Sequence, residues 1–152
     1  MPGLFLGIDI GTGGVRACAI DGRGEIAGLA TIALPPPRQQ GDAIDQDPEV
    51  WWQATLAAIR KLGEILDLQA IERIAVDGTS GTLLLTDASG HPVSSGFMYN
   101  DARAVDEAAR IAKITPSDSG AHGRSSALAK LLHLLAGNSG INARHALHHD
   151  VR

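Results

Sequence analysis

The stretch of this chain with the most chemistry in it is Gly7-Ile8-Asp9-Ile10-Gly11-Thr12-Gly13-Gly14-Val15-Arg16. A glycine-rich turn exposes backbone N–H groups that can line a phosphate. A Walker loop needs Gly-Lys-Ser/Thr at its end, and no lysine is present here. A dinucleotide fingerprint needs a third glycine where Arg16 stands, and a helix next. Here Val15 to Ile20 reads as a strand, so both loops fail. What remains is a hairpin tip with an acid at the end of the preceding strand. That arrangement suits a nucleotide with a magnesium ion: the turn amides and the Thr12 hydroxyl would hold phosphate oxygens. Asp9 would face the metal through water, because magnesium keeps much of its hydration shell. The same residues also fit an ordinary glycine-rich hairpin carrying a surface aspartate.

The elements that must position these residues can be read along the chain. Leu4 to Asp9 is apolar and reads as a buried strand. Val15 to Ile20 follows the glycine loop, Asp21-Gly22 signals a hairpin turn, and Glu25 to Leu34 forms a third strand. Pro35-Pro36-Pro37 ends it, because proline cannot donate to a ladder. Arg38 to Gln46 reads as a polar loop. Asp47-Pro48 opens a helix, with aspartate suited to the N-cap and proline to the first helical position. Val50, Trp51, Ala54, Leu56, Ala57, Ile59, Leu62, Ile65 and Leu66 then follow helical spacing. Ile71 to Val76 is a further buried strand, ending in Asp77-Gly78-Thr79-Ser80-Gly81. Thr82 to Leu85 and Pro92 to Tyr99 read as extended, around a turn at Ala88-Ser89-Gly90. Helices are expected over Asp101 to Ile114 and Ser125 to Leu135, and Asn142 caps a last one.

Several of these segments together resemble a family. Asp9-x-Gly11-Thr12-x-x-x-Arg16 is similar to the first phosphate motif of the actin-like ATPase superfamily, and within it the FGGY carbohydrate kinases match best. Gln46-Asp47-Pro48-Glu49-Val50-Trp51-Trp52 resembles the acidic-proline-tryptophan helix start of those kinases. Ile74 to Asp87, with its Asp77-Gly78-Thr79-Ser80-Gly81 turn, resembles their substrate strand. Tyr99-Asn100-Asp101-x-Arg103-Ala104 and Ser126-x-Leu128-x-Lys130-Leu131 resemble the two segments that follow.

The resemblance implies an α/β, ribonuclease H-like mixed sheet, with an antiparallel three-strand meander at the start and flanking helices. It implies that residues 1–152 are the N-terminal lobe of a two-lobed sugar kinase, truncated, with the second lobe and its catalytic aspartate outside this chain. The fragment alone would then be inactive. ATP and Mg2+ are the implied cofactors, with Asp9, Gly11, Thr12, Gly13 and Arg16 on the phosphate side and Asp9 toward the metal. Arg16 could instead be a solvated residue or an ion-pair partner. Thr79, Ser80 and Gly81 fall where family kinases touch the sugar, or could merely satisfy turn backbone groups. Xylulose kinases usually place Met-His here and glycerol kinases Arg-Glu; the turn in this chain is closer to the ribulose-kinase branch. A ketopentose, of D-ribulose or xylulose type, is therefore expected. Asp101 is a weaker substrate candidate that could equally cap its helix. One of Trp51 and Trp52 is expected in the core, the other over the sugar cleft or an interface. Two other readings stay open: a different actin-like ATPase, and a non-catalytic lobe kept for assembly.

Composition narrows the rest. Thirteen Lys plus Arg against seventeen Asp plus Glu give a formal net charge of −4, which argues against a nucleic-acid grip. Cys18 is the single cysteine, so no disulfide framework exists within the chain; it reads as a small buried residue. No apolar run spans a membrane and Met1 to Leu6 lacks a signal-peptide start, so a cytoplasmic protein is expected. His145, His148 and His149 have the spacing of a metal-gathering helix face but no clear carboxylate beside Asp150. Self-association through exposed apolar surface is a further expectation.

Overall fold

The computed structural model describes residues 3–137. The chain forms two compact units: one holds the residues up to Pro36 together with Glu49–Thr79, the other Pro37–Pro48 and the chain from Ser80 onward.

The first unit is built on three strands that return on each other: β1 (Leu4–Ile10), β2 (Gly14–Ile20) and β3 (Ile26–Ala33). β1 and β2 pair antiparallel, as do β2 and β3. α1 (Pro48–Gly63) then carries the chain to β6 (Ile71–Gly78), which joins β1 in parallel, giving the order β3-β2-β1-β6. Alternation decides the faces. Leu6 and Ile8 of β1, Val15, Ala17 and Ala19 of β2, and Ala30 of β3 pack against Ala54, Ala58 and Leu62 of α1. Small residues dominate this contact, and Gly28 shows why: a Cβ there would stand 2.9 Å from methyls of both Leu62 and Leu66. α1 places Glu49 in its first turn and Arg60 and Lys61 in its last, in agreement with the helix dipole.

The turn after β2 differs from a two-residue Asp-Gly hairpin. Asp21 Oδ1 accepts N–H bonds from Arg23 (2.8 Å) and Glu25 (3.0 Å), and the left-handed residue is Gly24, at φ +85°, rather than Gly22. The aspartate side chain thus supports a wider turn and β3 begins at Ile26.

In the second unit, residues 38–46 correct the loop expectation. They form β4 (Arg38–Gln40) and β5 (Ala43–Gln46), joined through Gly41 at φ +60°. β5 pairs with β7 (Gly96–Phe97), giving the order β4-β5-β7. Of the extended segments expected at 82–85 and 92–99, only β7 is a strand; elsewhere the pairing is single bridges, Leu83 with Phe97 and Thr86 with Pro92. The expected turn at 88–90 is present, its N–H groups of Ser89 and His91 both held by Asp87 Oδ1 at 2.9 Å. The helices are α2 (Val105–Ala112) and α3 (Ala127–Gly137), shifted from the expected bounds. Ala104, Ala108, Ile111 and Ala129 form one core cluster of this unit, and Leu85, Phe97 and Leu134 another.

Trp51 is half-buried and Trp52 is 57% exposed, so neither is a fully buried core residue. Cys18 is likewise half-buried. The expected helix from Asn142 and the histidines His145, His148 and His149 lie outside the described residues. Among the described residues, no helix is long and apolar enough to cross a membrane.

Candidate functional site

The hairpin tip lies in the first unit. β2 starts at Gly14, so the glycine turn leads into a strand. The Gly11 N–H donates to Gly14 O at 3.0 Å and the Leu34 N–H to Gly13 O at 3.1 Å, which fixes the turn against β3. Glycine at 14 is required sterically, since a Cβ would meet Ile32 O at 2.8 Å; a Cβ on Gly13 would meet nothing within 4 Å. The tip also touches the end of β6. The Thr79 N–H donates to Ile10 O at 3.3 Å, and the Thr12 and Thr79 hydroxyl oxygens stand 3.4 Å apart. A phosphate-side candidate and a sugar-side candidate are thus neighbours.

The sheet face opposite α1 is an open groove whose lining includes Gly7, Asp9, Arg16, Cys18, Ala75 and Asp77. Asp9 faces Arg16 across β1–β2 and Asp77 across β1–β6. Arg16 Nη1 donates to Asp9 Oδ2 at 2.8 Å, with roughly half of each side chain in solvent (59% and 48%). Arg16 is therefore an ion-pair partner of the acid. Asp77 was not among the residues singled out by sequence. The available signal was that β1 and β6 are both apolar runs closing on an aspartate. Among the described residues, no three His, Cys, Asp or Glu side chains converge as a metal cage. Asp9 and Asp77 are the carboxylates that line this groove.

The chain passes into the second unit between Thr79 and Ser80. Ser80 is exposed, and Gly81 is left-handed at φ +78°. The Gly81 carbonyl accepts from Lys130 Nζ. Thr82 Oγ1 is buried with no hydrogen-bond partner among the described residues.

Asp101 is fully buried and does not cap a helix. α2 begins four residues later, behind Ala104, without a side-chain cap. Asp101 Oδ2 instead accepts from the Ile44 N–H at 2.7 Å and from Arg103 Nε at 2.9 Å. Arg103 Nη2 also reaches Asp45 Oδ2 at 2.7 Å, and its guanidinium lies 3.9 Å over the Phe97 ring. Arg38 holds the other oxygen of Asp45 at 2.7 Å. Burial raises the Asp45 pKa, but hydrogen bonds from Arg103 and Arg38 outweigh it and leave the carboxyl below its ordinary value. Burial likewise depresses Arg103, and its bonds to Asp101 and Asp45 raise it above the usual guanidinium value. This cluster ties β5 to the segment before α2.

Comparison with known proteins agrees with this architecture. The chain superposes on a xyloylose (xylulose) kinase from Brucella ovis with a TM-score of 0.78 and 26% identity, over 90% of this chain and 30% of that one. A xylulose kinase from Rhodospirillum rubrum gives 0.75 and 21%, over the same shares. The fold is that of the actin-like ATPases: a mixed sheet with an antiparallel start and flanking helices.

Residues 4–124 match the N-terminal domain of the FGGY family of carbohydrate kinases. The chain belongs to that family. The xylulose kinase of Escherichia coli (strain K12) is 33% identical over 104 residues, which cover 68% of this chain and 22% of that protein. The chain thus spans about a fifth of the length of the curated relatives it matches.

Proposed function

We propose that this chain is the N-terminal lobe of an ATP-dependent ketopentose kinase, carrying the phosphate side of the site and part of its sugar side. The observation that carries the reading is the hairpin tip: a glycine turn entering a strand, with Asp9 on an open groove and Thr12 beside Thr79.

In this reading the turn amides of residues 12 and 13 and the Thr12 hydroxyl donate to phosphate oxygens, while Gly14 O keeps the Gly11 N–H within the turn. Arg16 orients the Asp9 carboxylate through its bond to Oδ2. Asp9 fits a magnesium ion through water, being a half-exposed hard oxygen donor. When bound, that ion would neutralise charge on the phosphate oxygens. Thr79, Ser80 and Gly81 present hydroxyl and main-chain groups to a polyol without crowding it. Asp101 acts from behind, since its buried carboxylate orders Ile44 and Arg103. The base that takes the sugar proton belongs to a part of the kinase beyond these residues, so the lobe alone is inactive.

A ketopentose is favoured on two grounds. The relatives matched are xylulose kinases, and the Asp77-Gly78-Thr79-Ser80-Gly81 turn resembles the ribulose-kinase branch. The test is ADP release by the gene product carrying this chain, with D-ribulose, D-xylulose and glycerol as acceptors. A ketopentose should stimulate turnover and glycerol should not. Asp9→Ala should cut the rate about a hundredfold or more with little change in unfolding midpoint. Absence of stimulation by either ketopentose, or an undiminished Asp9→Ala rate, would overturn the reading.

A further inference from the structure

α3 reads Ala-Leu-Ala-Lys-Leu-Leu-His-Leu-Leu, and its one lysine points inward. Lys130 is fully buried. Its ammonium donates to Gly81 O at 2.5 Å, Met98 O at 2.9 Å and Tyr99 O at 3.1 Å. An ammonium has three donors, and all are used on main-chain carbonyls. Taking that charge out of water is costly, and an apolar side chain would suit a helix of leucines and alanines better on packing grounds alone. Burial pulls the Lys130 pKa below its usual value, and the negative charge of Asp101 works against that pull.

The three carbonyls show what the charge holds. Leu83 and Phe97 exchange N–H···O bonds of 3.1 and 2.8 Å. Two residues further out, Gly81 falls opposite Tyr99, and a Cβ on Gly81 would lie 4.0 Å from the Tyr99 Cα. The carbonyls of Gly81 and Tyr99 both turn to Lys130. The ammonium thus closes the end of this short ladder, at the point where Gly81 takes its left-handed conformation.

We propose that Lys130 is a positioning residue of the sugar site, its three-carbonyl clamp holding the Ser80–Gly81 turn in the shape that takes a ketopentose. This rests on the sugar-side reading of Ser80 and Gly81 given above. Lys130 itself does not touch substrate.

The test uses the isotope-labelled gene product that carries this chain, with D-xylulose and D-ribulose as probes and two nuclear magnetic resonance readings. The first is hydrogen exchange at the Leu83 amide, with the amides of β1 and β2 as internal reference. The second is the sugar-induced shift of the Ser80 and Gly81 amides. In Lys130→Met, Leu83 exchange should rise about tenfold or more, and sugar affinity should fall about tenfold or more. Unchanged exchange would overturn the clamp. Faster exchange with wild-type sugar affinity would overturn the positioning role, leaving Lys130 structural only. A wild-type chain that shows no sugar-induced shift overturns the sugar reading itself, whatever the exchange result. Lys130→Arg keeps the charge on a planar head that cannot converge on three carbonyls as an ammonium does. It should fold and lose about threefold of sugar affinity. If Lys130→Met fails to fold, wild-type exchange and wild-type affinity in Lys130→Arg overturn the proposal.

Discussion

The first unit keeps its charges outside. Asp9 and Arg16 pair at the rim of the groove with about half of each side chain in water, while the sheet and α1 meet through alanines, valine, isoleucine and leucines. The second unit does the reverse. Asp45, Asp101 and Lys130 are 5%, 0% and 0% exposed, bonded to Arg38, Arg103 and main-chain carbonyls. The first unit is held by non-directional burial, which tolerates repacking. The second unit has short strands and two small apolar clusters, and it relies on directional bonds that fail when one partner is removed.

Asp101→Ala should be the most damaging change, because it leaves the buried Ile44 N–H without its acceptor and takes from Arg103 one of its two carboxylates. A loss of about 3–5 kcal/mol is expected, read as denaturant unfolding followed by resonances of α2 and α3. If those resonances keep their midpoint, the buried network is not what holds the second unit. Leu62→Ala should cost about 2–5 kcal/mol, and its effect should appear first in resonances of β1 and β2. A loss spread equally over both units would erase the contrast between them.

Acid should separate the units next. The Asp45 pKa is lower folded than unfolded, so its contribution is complete above the ordinary carboxylate value of 3.8 and is lost as pH falls through the folded value. Resonances of β4 and β5 should therefore lose stability below about pH 4, and Asp45→Asn should flatten that dependence. Arg16→Ala should do least, changing stability by about 0–1 kcal/mol, since its ion pair is exposed. A larger loss would mean that the groove rim is structural.

The contrast also explains what could be read from sequence. The three-strand meander and α1 with Pro48 at its start follow from periodicity and punctuation. β6 is legible as an extended apolar run, but not as the buried strand expected: it is exposed from Glu72 to Gly78, and its strand partner β1 lies far back in the chain. Residues 38–46 read as a loop because Arg38-Gln39-Gln40 lacks apolar alternation. Their order comes through Asp45, which Arg38 holds from within the segment and Arg103 from 58 residues away. Asp101 resembled a cap because a helix follows, whereas its partner Ile44 lies 57 residues back. Lys130 lies inside Ser126-x-Leu128-x-Lys130-Leu131, but no local pattern shows that its head is buried. At the hairpin tip the sequence named Asp9, Gly11, Thr12, Gly13 and Arg16, and the contact of Thr12 with Thr79 required the parallel pairing of β1 with β6.

The empty position at residue 28 sets a tolerance for the whole first unit. Methyls of Leu62 and Leu66 already occupy the space a side chain would need, so one added carbon would oblige both leucine tips to give way. Laboratory evolution of this unit should therefore accept a larger residue 28 only together with a smaller one at 62 or 66.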